Sequence, residues 1–287
     1  MFDIALILVG LFGFAYTGYK DLKTTEFPDW VPYSMIIAAV LIKLVNSVTA
    51  NDFSILTDSL INGLLLFGIG YILYLVGSWA DGDAFVIGAL GFLFPLKTVL
   101  FSPTYFLPLP LMLISNVFFF GGIYMLVYAF ALGFKNAWIF GDLKKDLVKN
   151  SKKFVFALLS IAIFAFGATY LMANSFGIKP DAALLSVPAG FVVYSIFILL
   201  LWRYVKIIDQ KIFVKKIPAS KLRYGDIPVT AKLLRMPDPA LIRKLRAKGG
   251  YVKIKEGVRF TPVFLIAFLF TLVYGDAIYW ILRLMVR

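Results

Sequence analysis

Two aspartates stand at the ends of long apolar runs: Asp21 in Tyr19-Lys20-Asp21-Leu22-Lys23, and Asp83 in Trp79-Ala80-Asp81-Gly82-Asp83-Ala84-Phe85. Paired carboxylates can hydrolyse a peptide without metal or covalent nucleophile. One, ionised, draws a proton from water while the other, protonated, donates to the carbonyl oxygen. Like charges a few ångströms apart cannot both ionise cheaply, so such a pair shares one proton and titrates as a unit. The rest of the composition narrows the field. Histidine and cysteine are both absent, which removes histidine-based zinc sites, Ser-His-Asp triads, Cys-His pairs, thiolate clusters and disulfides. No metal or cofactor is expected, and carboxylates become the leading candidates for acid and base.

Elements at membrane depth must hold these groups. The 287 residues are 61% hydrophobic and only 16% charged, whereas soluble domains are about half apolar and about a quarter charged. The expected fold is a polytopic α-helical membrane protein of about eight transmembrane helices. Runs near the roughly 20 residues that a helical crossing needs are Met1–Tyr19, Trp30–Val45, Ser59–Gly77, Ala84–Phe101, Leu109–Leu132, Phe154–Met172, Ala183–Trp202 and Thr261–Leu282. The first run lacks a basic flank before it and a small-residue cleavage site after it, so it reads as a retained helix.

Basic residues resist translocation, so their placement predicts orientation. With the N-terminus outside, twenty-four Lys and Arg fall in cytoplasmic segments and three (Lys179, Arg283 and Arg287) outside. Lys43 and Lys97 lie within spans and are expected to snorkel. Asp21 and Asp83 then share the cytoplasmic face. Asp276, about 22 Å along the last helix from Thr261, is expected near the outer face as a packing or interfacial acid.

Three parts are expected: a transmembrane catalytic region over 1–202, a basic cytoplasmic domain over 203–260 and a C-terminal transmembrane helix over 261–287. The middle part carries sixteen basic and four acidic residues and reads as a small mixed α/β unit. Asp238-Pro239 to Lys248 has the signals of a short helix with an Asp cap. Tyr251–Lys255, following Gly249-Gly250, alternates like a strand. A basic face beside a membrane suits anionic lipid headgroups, and nothing in it resembles a nucleic-acid module. Asn136–Lys153 reads as an interfacial amphipathic stretch.

From Ala80 the run ADGDAFVIGALGFLFP resembles the GxGD motif of the prepilin and preflagellin peptidases, a family of membrane aspartyl proteases. Gly82-Asp83 is followed in register by an apolar helix rich in small residues. Asp21-Leu22-Lys23 through Glu26, Pro28 and Asp29-Trp30 is similar to the family's first aspartate motif, and Gly257–Phe268 is similar to the final span of archaeal members. The missing CxxC pairs fit the archaeal type. Two positions depart from the pattern: Ala80 replaces the first glycine, and Phe85 stands where a lysine is frequent. Asp81 offers a competing frame, but only Asp83 aligns the helix that follows.

The resemblance implies a membrane aspartyl endopeptidase with Asp21 and Asp83 catalytic. It would cut the basic leader, a class III signal peptide, from prepilin- or preflagellin-type (archaellin) precursors at the cytoplasmic membrane face. Gly82 suits close approach of a peptide backbone, and the carboxylates of Glu26, Asp29 and Asp81 complement a basic leader. Two other readings stay open at this point: an ion- or proton-coupled transporter using Asp21, Asp83 and Asp276, and an inactive member of the family.

Overall fold

The computed structural model describes residues 2–76, 78–96, 104, 106–177, 181–222, 227–229, 239–255 and 257–285. Lys97, Lys179, Asp238 and Arg287, and the expected continuation of the fourth run from 97 to 101, lie outside the described residues.

The chain is mostly helical. In order it forms α1 (Phe2–Thr24), α2 (Trp30–Ala50), α3 (Ser54–Leu75), α4 (Asp81–Leu93), α5 (Leu109–Lys135), α6 (Trp138–Lys149), α7 (Ser151–Ser175) and α8 (Ala182–Lys211). Then come β1 (Val214–Pro218), β2 (Ile227–Pro228), α9 (Pro239–Lys248), β3 (Tyr251–Lys255), α10 (Pro262–Tyr274) and α11 (Ala277–Met285). Among the described residues six helices, α1, α2, α3, α5, α7 and α8, are long and apolar enough to cross a membrane. The protein is therefore a multi-pass membrane protein by helix length and composition.

The chain divides into two compact units, 1–127 with 215–287, and 128–214. In the first, Leu6, Phe14, Leu66, Ile87, Leu90, Phe264 and Phe268 form the centre of one apolar core. α4 is its most enclosed element, with every residue from Val86 to Leu93 buried. Small residues permit this. A Cβ added at Gly91 would lie 2.6 Å from the Asn62 carbonyl oxygen of α3, and one at Gly70 would lie 2.8 Å from Ala84 Cα. Without side chains there, the α3 and α4 backbones approach closely, as packing in lipid favours.

α4 has 13 residues, about 20 Å of rise, against a hydrocarbon core of about 30 Å. Its last carbonyls therefore need partners from elsewhere. Ser59 Oγ donates to the Phe92 carbonyl, and the Lys43 ammonium donates to that of Pro95. This corrects the snorkelling expected of Lys43. The side chain is 2% exposed and turns inward, because a buried helix end offers it acceptors that lipid does not.

The last apolar run also differs from expectation, since it is two helices. Gly275 takes φ 81°, and α11 begins after Asp276, whose Oδ1 accepts from the N–H of Ile278 at 2.9 Å. Asp276 Oδ2 accepts from Leu107 N–H at 3.0 Å. Asn116 of α5 closes the break, donating to Thr271 Oγ1 and the Gly275 carbonyl and accepting from Ala277 N–H. Asp276 is completely buried because the break supplies donors for it.

The strands form a three-stranded sheet in the order β1-β3-β2. β2 and β3 are antiparallel, pairing Ile227 with Lys255 and Pro228 with Ile254. Ala219, Leu222, Ile242 of α9 and Ile254 of β3 make a small core of their own. The expected helix at 239–248 and strand at 251–255 are present, the strand preceded by Gly249 and Gly250 at positive φ.

In the second unit α8 runs to Lys211, nine residues beyond its expected end at Trp202, and its extension meets acids of α6. Asp142 accepts from Lys211 Nζ at 2.8 Å, and Asp146 lies 3.5 Å from Arg203 Nε. α6 buries Ile139. Many apolar side chains of α7 are exposed, Phe156, Ile163 and Phe164 to at least 74%, a surface that lipid would solvate.

Candidate active site

α1 brings Asp21 to its C-terminal end, and α4 carries Asp83 in its first turn. α1 packs against α2, α4 and α10, and α4 against α2 and α3. Both acids lie past or ahead of the apolar stretches, Met1–Tyr19 and the run from Ala84, so their charges need not be buried in hydrocarbon.

Asp21 is 5% exposed. Its Oδ2 accepts the backbone N–H of Thr261 at 2.8 Å. Thr261 comes just before α10, whose free N–H groups favour a negative charge. Burial raises the Asp21 carboxyl, and hydrogen bonding from Thr261 and the attractive charge of Arg259 oppose that rise. Gly18, one turn before Asp21, makes this approach possible: a Cβ there would lie 3.2 Å from Pro262 Cα.

Asp83 is partly exposed and is the third residue of α4, not the residue before the helix. Its Oδ2 accepts the N–H of Ala80 at 3.2 Å, the return half of a capping box. Burial pushes its carboxyl up to about 7, opposed by the Ala80 hydrogen bond and reinforced by the negative charges of Asp21 and Asp81. Asp21 and Asp83 thus feel each other across two helices distant in sequence. Burial raises both carboxyls; at Asp21 the Thr261 donor and the Arg259 charge offset part of that rise, while at Asp83 acid neighbours add to it and the group holds its proton to about 7. That division suits general base and general acid.

The remaining expected residues surround this pair. Asp81 is exposed and its Oδ1 accepts from Gly82 N–H at 2.9 Å. Glu26 and Asp29, also exposed, flank Phe27. The ring of Phe27 lies over Gly82, 2.8 Å from where a Cβ would stand, so the open backbone expected at Gly82 is covered by the chain itself. Phe27 thereby holds the α1–α2 loop against the start of α4. Phe85 packs edge-on to Tyr33 at 4.7 Å and against Phe67 at 4.9 Å. An apolar residue in place of lysine has this packing reason.

Several site neighbours carry no local sign of the contact they make. Thr261 and Arg259 lie over 230 positions from Asp21. Trp79, adjacent to Ala80, packs on Phe118, Phe260 and Phe264 at 5.8–5.9 Å. Pro262 in the first helical turn of α10 marks the helix start, yet nothing local says which carboxylate that start will meet.

The class is that of a helical membrane protein with two aspartates at the ends of packed helices. Residues 8–134 match the type IV leader peptidase family. The chain is 28% identical over 136 residues to a preflagellin peptidase of Methanococcus maripaludis, covering 45% of this chain and 57% of that protein. A preflagellin peptidase of Methanococcus voltae is 31% identical over 136 residues, 45% of this chain and 56% of the relative. One from Methanocaldococcus jannaschii is 26% identical over 125 residues, 39% and 51% respectively. The chain spans about half the length of these curated relatives. No solved structure matches it.

Proposed function

We propose that the protein is a membrane aspartyl endopeptidase that removes the basic leader from preflagellin- or prepilin-type precursors. The observation that carries this reading is the meeting of Asp21 and Asp83 at the ends of two packed helices, α1 and α4, within a region that matches the type IV leader peptidase family. The relatives named preflagellin peptidase support the substrate class.

In the proposed reaction Asp21, its ionised form favoured by Thr261 N–H and the charge of Arg259, takes a proton from water. Asp83, protonated near neutrality, donates to the scissile carbonyl oxygen. The tetrahedral intermediate then collapses: Asp21 passes its proton to the leaving amine, and Asp83 recovers the one it gave to the carbonyl oxygen. No metal is needed. Glu26, Asp29 and Asp81, exposed beside the pair, complement a basic leader, with Gly82 at the pair's edge.

The proposed topology has eight crossings and the N-terminus outside, which puts the dyad at the cytoplasmic face of the cell membrane. It follows from the basic residues of the loops. Within it, 1–202 is the transmembrane catalytic region, 203–260 a basic cytoplasmic domain docked on anionic lipid headgroups, and 261–287 the C-terminal membrane segment.

Co-expression with archaellin and pilin precursors tests the activity. Leader loss with the wild type, abolished by Asp21→Asn and by Asp83→Asn and largely kept by Asp81→Asn, is the expected pattern. Cleavage that persists in both dyad variants would sink the reading. The fully buried, backbone-bonded Asp276 gives little support to a transport role for that acid.

A further inference from the structure

We propose that Arg259, Phe260 and Thr261, the connector leading into α10, form a third part of the active site and act as positioning residues for both aspartates. The inference rests on the reading of Asp21 and Asp83 as the catalytic pair. It adds residues well outside 8–134, the stretch that matches the family.

The geometry is specific on both sides. Toward Asp21, the connector supplies the Thr261 N–H at 2.8 Å from a residue only 2% exposed. Water is a poor substitute for that donor. Toward Asp83, Phe260 packs on Trp79 with ring centres 5.8 Å apart. Phe264, on the first turn of α10, meets the same indole edge-on at 5.8 Å. Trp79 immediately precedes Ala80, whose N–H binds Asp83. One connector therefore grips the end of α1 by a hydrogen bond and the start of α4 by an aromatic contact. Gly121 of α5 leaves room for the Phe260 ring, with 2.8 Å between the ring and the place of a Cβ.

Reacting groups tolerate little displacement, and a shift of about 1 Å can cost about a hundredfold in rate. A buried carboxylate that loses a hydrogen-bond donor or a cationic neighbour is also protonated more readily. The leading charged groups acting on the pair are Arg259 from the connector and Asp81 from α4, besides Asp21 itself acting on Asp83; Lys20 and Lys23 stand beside Asp21 on α1, and Glu26 and Asp29 in the loop after it.

Thr261→Pro tests the contact with Asp21. Thr261 has φ −56°, which proline adopts without strain, so the substitution deletes both the N–H and the side-chain hydrogen bond that Thr261 gives Asp21. The variant is expected to lose roughly tenfold to hundredfold in kcat on a preflagellin-type precursor with KM nearly unchanged. The acid limb of its pH profile should move to higher pH, because Asp21 then protonates sooner. Arg259→Met should shift that limb by about half a pH unit, and Arg259→Lys should restore it. Unchanged kcat and an unmoved limb in Thr261→Pro overturn the proposal. So does a loss that merely follows the amount of folded protein. A carboxyl 13C titration of the aspartate-labelled wild type and variants, with Asp21 assigned by its absence in Asp21→Asn, needs no substrate. If the wild type cuts no precursor, the peptidase reading fails, while a raised Asp21 titration in Thr261→Pro still upholds the positioning contact and an unchanged one removes it.

Discussion

Lys43 on α2 donates its ammonium to the carbonyl of Pro95, just past the end of α4. A cation placed there meets the negative end of a helix dipole and a partly buried carbonyl. Lys43→Met should therefore lower the stability of the detergent-solubilised protein by about 2–3 kcal/mol, read as an earlier thermal unfolding transition. A variant as stable as the wild type would show that α4 closes its end in another way.

The buried knot at the α10–α11 break makes a second stability prediction. Asn116→Ala leaves Thr271 Oγ1, the Gly275 carbonyl and Ala277 N–H without their partner. The expected cost is about 2–4 kcal/mol. Turnover per folded molecule should stay near wild type, because the knot lies at the opposite end of α10 from Thr261. Unfolding and cleavage measured on the same preparations separate the two effects.

Asp83 ties stability to pH. The folded protein holds its proton to about 7, whereas the unfolded chain releases it near 3.8. The stability gained from this proton is complete below about pH 4, declines as pH rises through the interval and is lost above 7. Asp83→Asn cannot ionise and escapes the loss. Its Tm relative to wild type should be higher at about pH 8 than at about pH 5, by a few degrees. A difference independent of pH would contradict the raised carboxyl.

Glycine contacts provide a graded packing test. Gly91→Ala sets a methyl 2.6 Å from a backbone oxygen of α3, whereas Gly68→Ala and Gly167→Ala find nothing within 4 Å. The first should lower the yield of folded protein and cost about 1–3 kcal/mol. The other two, in helices, should be neutral or slightly stabilising. Equal behaviour of all three would argue against close α3–α4 packing.

Much of this arrangement is legible in the amino-acid sequence alone. The apolar runs locate α1, α2, α3, α5, α7 and α8 within a few residues at most of their ends, because hydropathy is a local property and a long apolar helix satisfies its own backbone. The aspartates are legible because carboxylates at run ends are few and their flanks carry a recognisable pattern. What escapes is every contact made by a single polar atom over long separations. Lys43 reads as snorkelling since its acceptor is 52 positions away. The break at Gly275 reads as continuous helix, because the side chain that closes it belongs to Asn116. Thr261 gives no sign of its role for the same reason: a backbone donor looks alike at every position but proline.

The blunt end of α4 bears on how the protein is made. A 13-residue segment whose sides are covered by α2 and α3 and whose final carbonyls are met by Lys43 and Ser59 has little to offer an empty bilayer. It can settle only where those two neighbours already stand. They precede it along the chain, so the order in which a ribosome delivers the segments is the order in which the Asp83 helix finds its berth.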